Sequence, residues 1–107
     1  MTILSTHVLD VERGVPAAGV PIALLRGDRV LAQAETNADG RITDLTGSVE
    51  SGTYRLVFDV AAYFARLERA APFLQRVSIE FEVHAADAHY HVPLLLSPYA
   101  CTSYRGS

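Results

Sequence analysis

The sequence has no lysine, one cysteine and one methionine. All nine basic side chains are arginine, which excludes a Walker A phosphate loop, a Schiff-base lysine and a kinase-type lysine. Cys101 stands alone, so it closes no intramolecular disulfide and sets no metal cluster. Twelve acidic side chains against nine basic ones leave a net charge of −3, which argues against an extended nucleic-acid footprint. No run is long and apolar enough to cross a membrane. Met1-Thr2-Ile3-Leu4-Ser5 lacks the basic start and apolar stretch of a secretory signal, and Arg105-Gly106-Ser107 is not a peroxisomal address. The expected setting is therefore reducing and cytoplasmic. What is present is 107 residues, 50% apolar and 20% charged, sufficient for a single domain over residues 1–107 with its own core.

Most of the chain alternates with period two, the strand signature. In Gln75–Val83, Val77, Ile79, Phe81 and Val83 alternate with Arg76, Ser78, Glu80 and Glu82, as expected of an antiparallel strand with one wet face. Thr53–Asp59 alternates similarly, with Val57 interrupting its polar side. Val20–Arg26 and Arg29–Thr36 flank Gly27-Asp28, a two-residue hairpin turn in which the order Asp-Gly is more usual. Asn37-Ala38-Asp39-Gly40, Gly47–Gly52 and Ala85–Ala88 carry turn chemistry. Val60–Ala70 breaks the pattern with Ala, Leu, Arg and Glu, has Asp59 to cap it and Pro72 beyond it, and is expected to be a helix. Seven or eight short strands and one helix predict an all-β, two-sheet antiparallel sandwich.

The first and last strands carry most of the information. In Ile3–Leu9, Leu4, Thr6 and Val8 share one face, and Ile3, Ser5, His7 and Leu9 the other. In His89–Leu96, Tyr90, Val92, Leu94 and Leu96 form an apolar face for the core, so His89, His91, Pro93 and Leu95 face outward. Pro93 requires a place where a backbone donor would be unpaired. Leu95, together with Ile3 or Leu9 if His7 also faces outward, is expected to contribute to an oligomer interface.

Several chemistries remain open for these residues. His89 and His91 are two imidazoles on one strand face, compatible with simple solvation or with two ligands of a zinc site that still needs a third. His7 and His91 are candidates for general acid–base chemistry, since imidazole titrates near neutrality. Arg41, just after the turn, is either solvated or a planar fork for two oxygens of an anionic heterocycle. Asp44 reads as a turn or cap residue, and nothing near Cys101 marks it as a nucleophile.

His7-Val8-Leu9-Asp10 with Gly14–Ile22, and Tyr90-His91-Val92-Pro93-Leu94-Leu95-Leu96-Ser97-Pro98, resemble the N- and C-terminal signatures of the transthyretin-like family. The closing Tyr104-Arg105-Gly106-Ser107 resembles the tetrapeptide of that family's enzymatic branch, the 5-hydroxyisourate hydrolases, and Asn37–Arg41 and Gly52–Leu56 match in order and spacing. Ala100-Cys101-Thr102-Ser103 departs from the family's usual Gly-Tyr-Ser-Thr-like stretch. The resemblance implies a seven- to eight-stranded transthyretin-like sandwich that assembles as a homotetramer, a dimer of dimers, with active sites in the cleft between dimers. It implies hydrolysis of 5-hydroxyisourate without a cofactor. The family's catalytic residues fall on His7, Arg41, His91 and Ser107, and substrate contacts on Arg41 and Tyr104, Arg105, Gly106 and Ser107. His89 is left as a surface residue or one standing behind the catalytic groups, with no role carried over to it. The rivals are a non-enzymatic carrier of a small aromatic ligand, a purely structural sandwich, and a zinc hydrolase.

Overall fold

A computed structural model of the chain describes residues 2–69 and 72–106; Met1, Ala70, Ala71 and Ser107 lie outside that description. Among the described residues ten strands and one helix follow in order: β1 (Thr2–Asp10), β2 (Val15–Pro16), β3 (Pro21–Arg26), β4 (Arg29–Glu35), β5 (Arg41–Ile42), β6 (Ser48–Val49), β7 (Gly52–Asp59), α1 (Val60–Arg66), β8 (Arg76–Val83), β9 (His89–Leu96) and β10 (Cys101–Ser103). Three of the ten are two-residue pairings, so seven longer strands carry the sandwich. One sheet runs β10-β9-β1-β2, with β5 and β6 also paired to β1; the other runs β4-β3-β7-β8. No described helix is long and apolar enough to cross a membrane.

Alternation decides which residues meet between the sheets. Leu4 and Val8 of β1 and Tyr90, Val92, Leu94 and Leu96 of β9 are buried against Ile22, Leu24, Tyr54, Leu56 and Phe58 of the other sheet. Val77, Ile79 and Phe81 of β8 pack on the rim of that core, where β8 forms the outer strand of its sheet. At the hairpin, Gly27 takes φ +60° while Asp28 stays at negative φ. That is the II′ arrangement, in which glycine belongs at the first position, so the order Gly-Asp is the fitting one.

The expected antiparallel sandwich needs one correction. β1 and β9 pair in parallel, from Ile3↔His89 to Asp10↔Leu96. These strands lie at opposite ends of the chain, and the whole opposite sheet serves as their crossover connection. Local alternation is the same in both directions, so it could not reveal the orientation.

The helix is also shorter than Val60–Ala70. Asp59 caps it by accepting from the Ala62 N–H at 3.1 Å, as expected, and Val60, Tyr63 and Phe64 are its buried stripe. It ends at Arg66 because Glu68 turns to φ +55°. The Glu68 N–H donates to the Ala65 carbonyl and the Arg69 N–H to the Phe64 carbonyl, a Schellman stop built without the usual glycine. Ala70, the last residue of the expected helix, lies outside the described residues.

The segment beyond the helix is tied to β1. Fully buried Asp10 accepts from Tyr63 Oη (2.8 Å), from the Arg13 N–H (3.1 Å) and from the Arg69 guanidinium, which also meets Glu12. Burial alone would raise the Asp10 pKa, but the bonds from Arg69, Tyr63 and Arg13 together hold it below the usual carboxylate value. Burial first, and then the bond to Asp10, push Tyr63 up to about 12.

Two outcomes are expected. Glu68→Gly removes a left-handed strain and raises stability by about 0.5–1 kcal/mol, read as a higher denaturant midpoint with unchanged slope. Asp10 has a lowered folded pKa, so its contribution is present above the ordinary carboxylate pKa and is lost as pH falls through the folded value. Asp10→Asn therefore costs on the order of 2–3 kcal/mol near neutrality, a deficit that shrinks when unfolding is measured in acid.

Candidate active site

The parallel register sets Ser5 directly opposite His91, with His89 one side-chain step away on the same face. The Ser5 hydroxyl lies 2.8 Å from His91 Nδ1 and 2.8 Å from His89 Nε2, bridging two rings whose centroids are 6.3 Å apart. Ser5 is buried beneath them although it lies on the outer face. His91 is half-buried and His89 exposed.

Arg41 arrives from the other side of β1. Asn37 Oδ1 accepts from the Asp39 and Arg41 N–H groups, and the Gly40 N–H donates to the Asn37 carbonyl, closing a tight Asx-type turn. Gly40 at its end has φ +74°, and a Cβ there would run into the Val8 carbonyl oxygen. Only glycine lets the turn lie so close to β1, where the Val8 N–H donates to the Gly40 carbonyl at 2.7 Å. β5 then pairs His7 with Arg41 and Thr6 with Ile42.

The result is an open cleft of about 240 Å³ lined by Ser5, Thr6, Arg41, Ile42, Thr43, His89 and His91. His7 flanks it, between Arg41 on one strand and Pro93 on the other. The His91 pKa is lowered, first by burial, then by the neighbouring His89, Arg41 and His7. Arg41 therefore contributes to keeping this imidazole neutral, but burial leads. A neutral imidazole beside an exposed guanidinium can take a proton while an adjacent cation holds planar, electron-rich oxygens. Among the described residues no three His, Cys, Asp or Glu side chains come together at metal-binding distance, so none of them gives the His89–His91 pair a third ligand.

The tail divides between two places. β10 pairs with β9 from Cys101↔Leu96 to Ser103↔Leu94 and then breaks at Tyr104-Arg105, and pairing resumes at His91↔Gly106. Continuing that register puts Tyr104 opposite Pro93, so the missing Pro93 donor falls in the break, and the Pro93 carbonyl takes the Ser103 hydroxyl at 2.7 Å. Gly106 donates its N–H to the His91 carbonyl at 2.7 Å, and a Cβ on it would sit 2.6 Å from His91 Cδ2. The glycine is thus a steric requirement of the histidine ring. Tyr104 and Arg105 do not reach the His91 cleft within one chain. They line a separate groove with Ile79, Phe81 and Tyr90, where the Arg105 guanidinium lies 4.1 Å from the Tyr90 ring centroid and 3.8 Å from Asp87. For Arg105 strand alternation is the reason, since it stands opposite inward-facing Val92. Ser107 lies outside the described residues. Asp44 is a turn residue, accepting from the Gly47 N–H at 2.7 Å, and Cys101 is exposed.

Sequence reasoning gave Ser5 no role, and for His89 it had only the open readings of a solvated or a zinc-ligating imidazole. His89 was placed on the outward face and Ser5 on the same face of its strand as His7; the missing information was the register that joins the two strands.

A two-sheet sandwich with a histidine–arginine cleft on the outer face of its β1–β9 ladder belongs to the class of transthyretin-like proteins. The chain is a member of the HIUase/Transthyretin family, whose model matches residues 4–106. It is 48% identical to the 5-hydroxyisourate hydrolase of Deinococcus radiodurans, over 97% of this chain and 95% of that protein. The structure of Klebsiella pneumoniae 5-hydroxyisourate hydrolase superimposes with a TM-score of 0.93 at 39% identity, covering the whole of both chains. Sea bream transthyretin in complex with thyroxine gives a TM-score of 0.87 at 30% identity, over 96% of this chain and 93% of that one.

Gly40→Ala should destabilise the fold by about 2 kcal/mol, the cost of a non-glycine residue at this φ plus the backbone clash. Thermal unfolding would read this as a fall in Tm of roughly 10 °C.

Proposed function

We propose that the chain hydrolyses 5-hydroxyisourate, opening its six-membered ring to give 2-oxo-4-hydroxy-4-carboxy-5-ureidoimidazoline in urate breakdown. The family and its hydrolase relatives support the reaction. The observation that carries the chemistry is His91, a half-buried imidazole biased toward its neutral form beside Arg41. Ring opening needs a water deprotonated as it attacks a ring carbonyl, an oxyanion stabilised, and a proton delivered to the leaving nitrogen. His91 is the base for the water, and His7 and His91 between them supply the returning proton. Arg41 holds the substrate's oxygens and the developing negative charge. No cofactor is required for these steps.

The tail acts on the site through Gly106, which packs against the His91 ring. Ser107 is assigned a place beside the substrate on the family resemblance, and Tyr104 and Arg105 a role in assembling the site rather than a contact within one chain. Assembly as a dimer of dimers would close the outer face of β1 and β9 over the cleft. Ile3, Leu9 and Leu95, half-buried apolar groups on that face, would flank it.

In a coupled ultraviolet assay, urate oxidase generates 5-hydroxyisourate and its decay is followed with and without the protein. Decay should be strongly accelerated and insensitive to chelator, and His91→Ala should lose on the order of 100-fold or more while remaining folded. If a folded protein with an untagged C-terminus leaves decay unchanged, the carrier reading replaces this one. The base must be unprotonated and its pKa is lowered, so kcat/KM should hold into mildly acidic solution and decline only below the ordinary imidazole range. Gly106→Ala should reduce kcat on the order of 10-fold by displacing the His91 ring, with Tm nearly unchanged.

A further inference from the structure

We propose that Ser5 and His89 form a proton relay behind His91, with Ser5 as the bridge and solvent-exposed His89 as the outlet. The inference rests on the hydrolase reading and adds two positioning residues to it. Its basis is the double contact of one hydroxyl, 2.8 Å from His91 Nδ1 and 2.8 Å from His89 Nε2. The ring centroids are 6.3 Å apart, so the hydroxyl is the link between them. A serine hydroxyl carries one proton: it donates to one of these nitrogens and accepts from an N–H on the other. The tautomers of the two histidines are therefore complementary.

In one arrangement Ser5 donates to His89 Nε2 and accepts from His91 Nδ1–H, which leaves His91 Nε2 bare and basic. When Nε2 takes the proton of the attacking water, the Nδ1 proton passes to Ser5 Oγ. The original Ser5 proton passes to His89 Nε2, and His89 releases its Nδ1 proton to bulk water. Each bond broken is matched by one formed, and no charge is left on His91. The ring ends with Nε2–H, ready to return that proton to the leaving nitrogen as the relay runs backward. The same nitrogen is acceptor and then donor in one turnover.

The surroundings favour this outlet. The groups whose charge bears on His91 are His89 on its own strand, His7 on β1 and Arg41 after the Asx turn. An imidazolium held among them would be repelled, whereas His89 stands exposed at the start of β9 and can pass a proton to water. Ser5 is buried under both rings, and among the described residues these two nitrogens are its side-chain partners.

The test combines kinetics with imidazole nitrogen NMR on the intact assembled protein. Ser5→Ala and His89→Ala should each lower kcat on the order of 10-fold with KM within about twofold, a split that a substrate-binding role would not produce. Added imidazole should restore turnover of His89→Ala, because the outlet is exposed, but not of Ser5→Ala, where the bridge is missing. His89→Gln can still hydrogen-bond Ser5 but cannot carry the proton, and should be as slow as His89→Ala. Independently of any substrate, NMR of the wild type should show one of His91 Nδ1 and His89 Nε2 protonated and the other bare, and His91 titration should shift in His89→Gln. Wild-type kcat in His89→Ala, equal imidazole rescue of both variants, or a His91 titration indifferent to position 89 would overturn the relay. Failure of the wild type to accelerate decay would instead remove the hydrolase reading, leaving the NMR coupling to stand or fall alone.

Discussion

The parallel ladder between β1 and β9 brings Ser5 within hydrogen-bonding reach of residues 84 and 86 positions away in sequence. The cleft depends on it. Both strands turn their apolar alternates into the core, and burial of Leu4, Val8, Val92 and Leu94 stabilises the register. A slip of one residue would send that apolar set to the outside. The polar alternates are thereby held in place by the core behind them, so Ser5, His7, His89 and His91 take their positions on the outer face from packing they do not share.

On this scaffold the chemistry is tuned by partial burial. His91 is enclosed enough to resist protonation and exposed enough to meet a small substrate, while His89, two residues earlier, stays in water. Arg41 supplies the cation without being the main cause of the His91 shift. Its location follows from a turn in which Asn37 satisfies backbone donors and Gly40 permits a close approach to β1. Similar division of labour is visible in the tail, where Pro93 leaves a gap in the β9–β10 ladder and Gly106 resumes the pairing against the face of His91. A residue with a side chain at 106 and a strand continuous through 104 would both change the surroundings of that ring.

Much of this was legible from the chain itself. Alternation marked β7, β8 and β9 nearly to their ends, Asp59 marked the start of the helix, and the outward facing of His91 followed from the apolar alternates of its strand. His7, in contrast, shared a strand with apolar residues on both faces, and its facing stayed open. The helix end was not legible, because Glu68 occupies a left-handed position that normally signals itself with glycine. The parallel orientation of β1 and β9 was not legible either, since period-two patterning has no direction.

The sequence by itself therefore determined the class of fold, the two faces of each long strand and the residue types available for acid–base chemistry. These are local properties, set by side-chain period and turn chemistry within a few residues. Only the tertiary structure decided that Ser5 bridges His89 and His91, that Arg105 turns to Tyr90 instead of the cleft, and that burial outranks Arg41 in tuning His91. Those are properties of pairing between distant segments, and the free energy that selects a pairing comes from the core shared by all of them rather than from the residues that meet at the site.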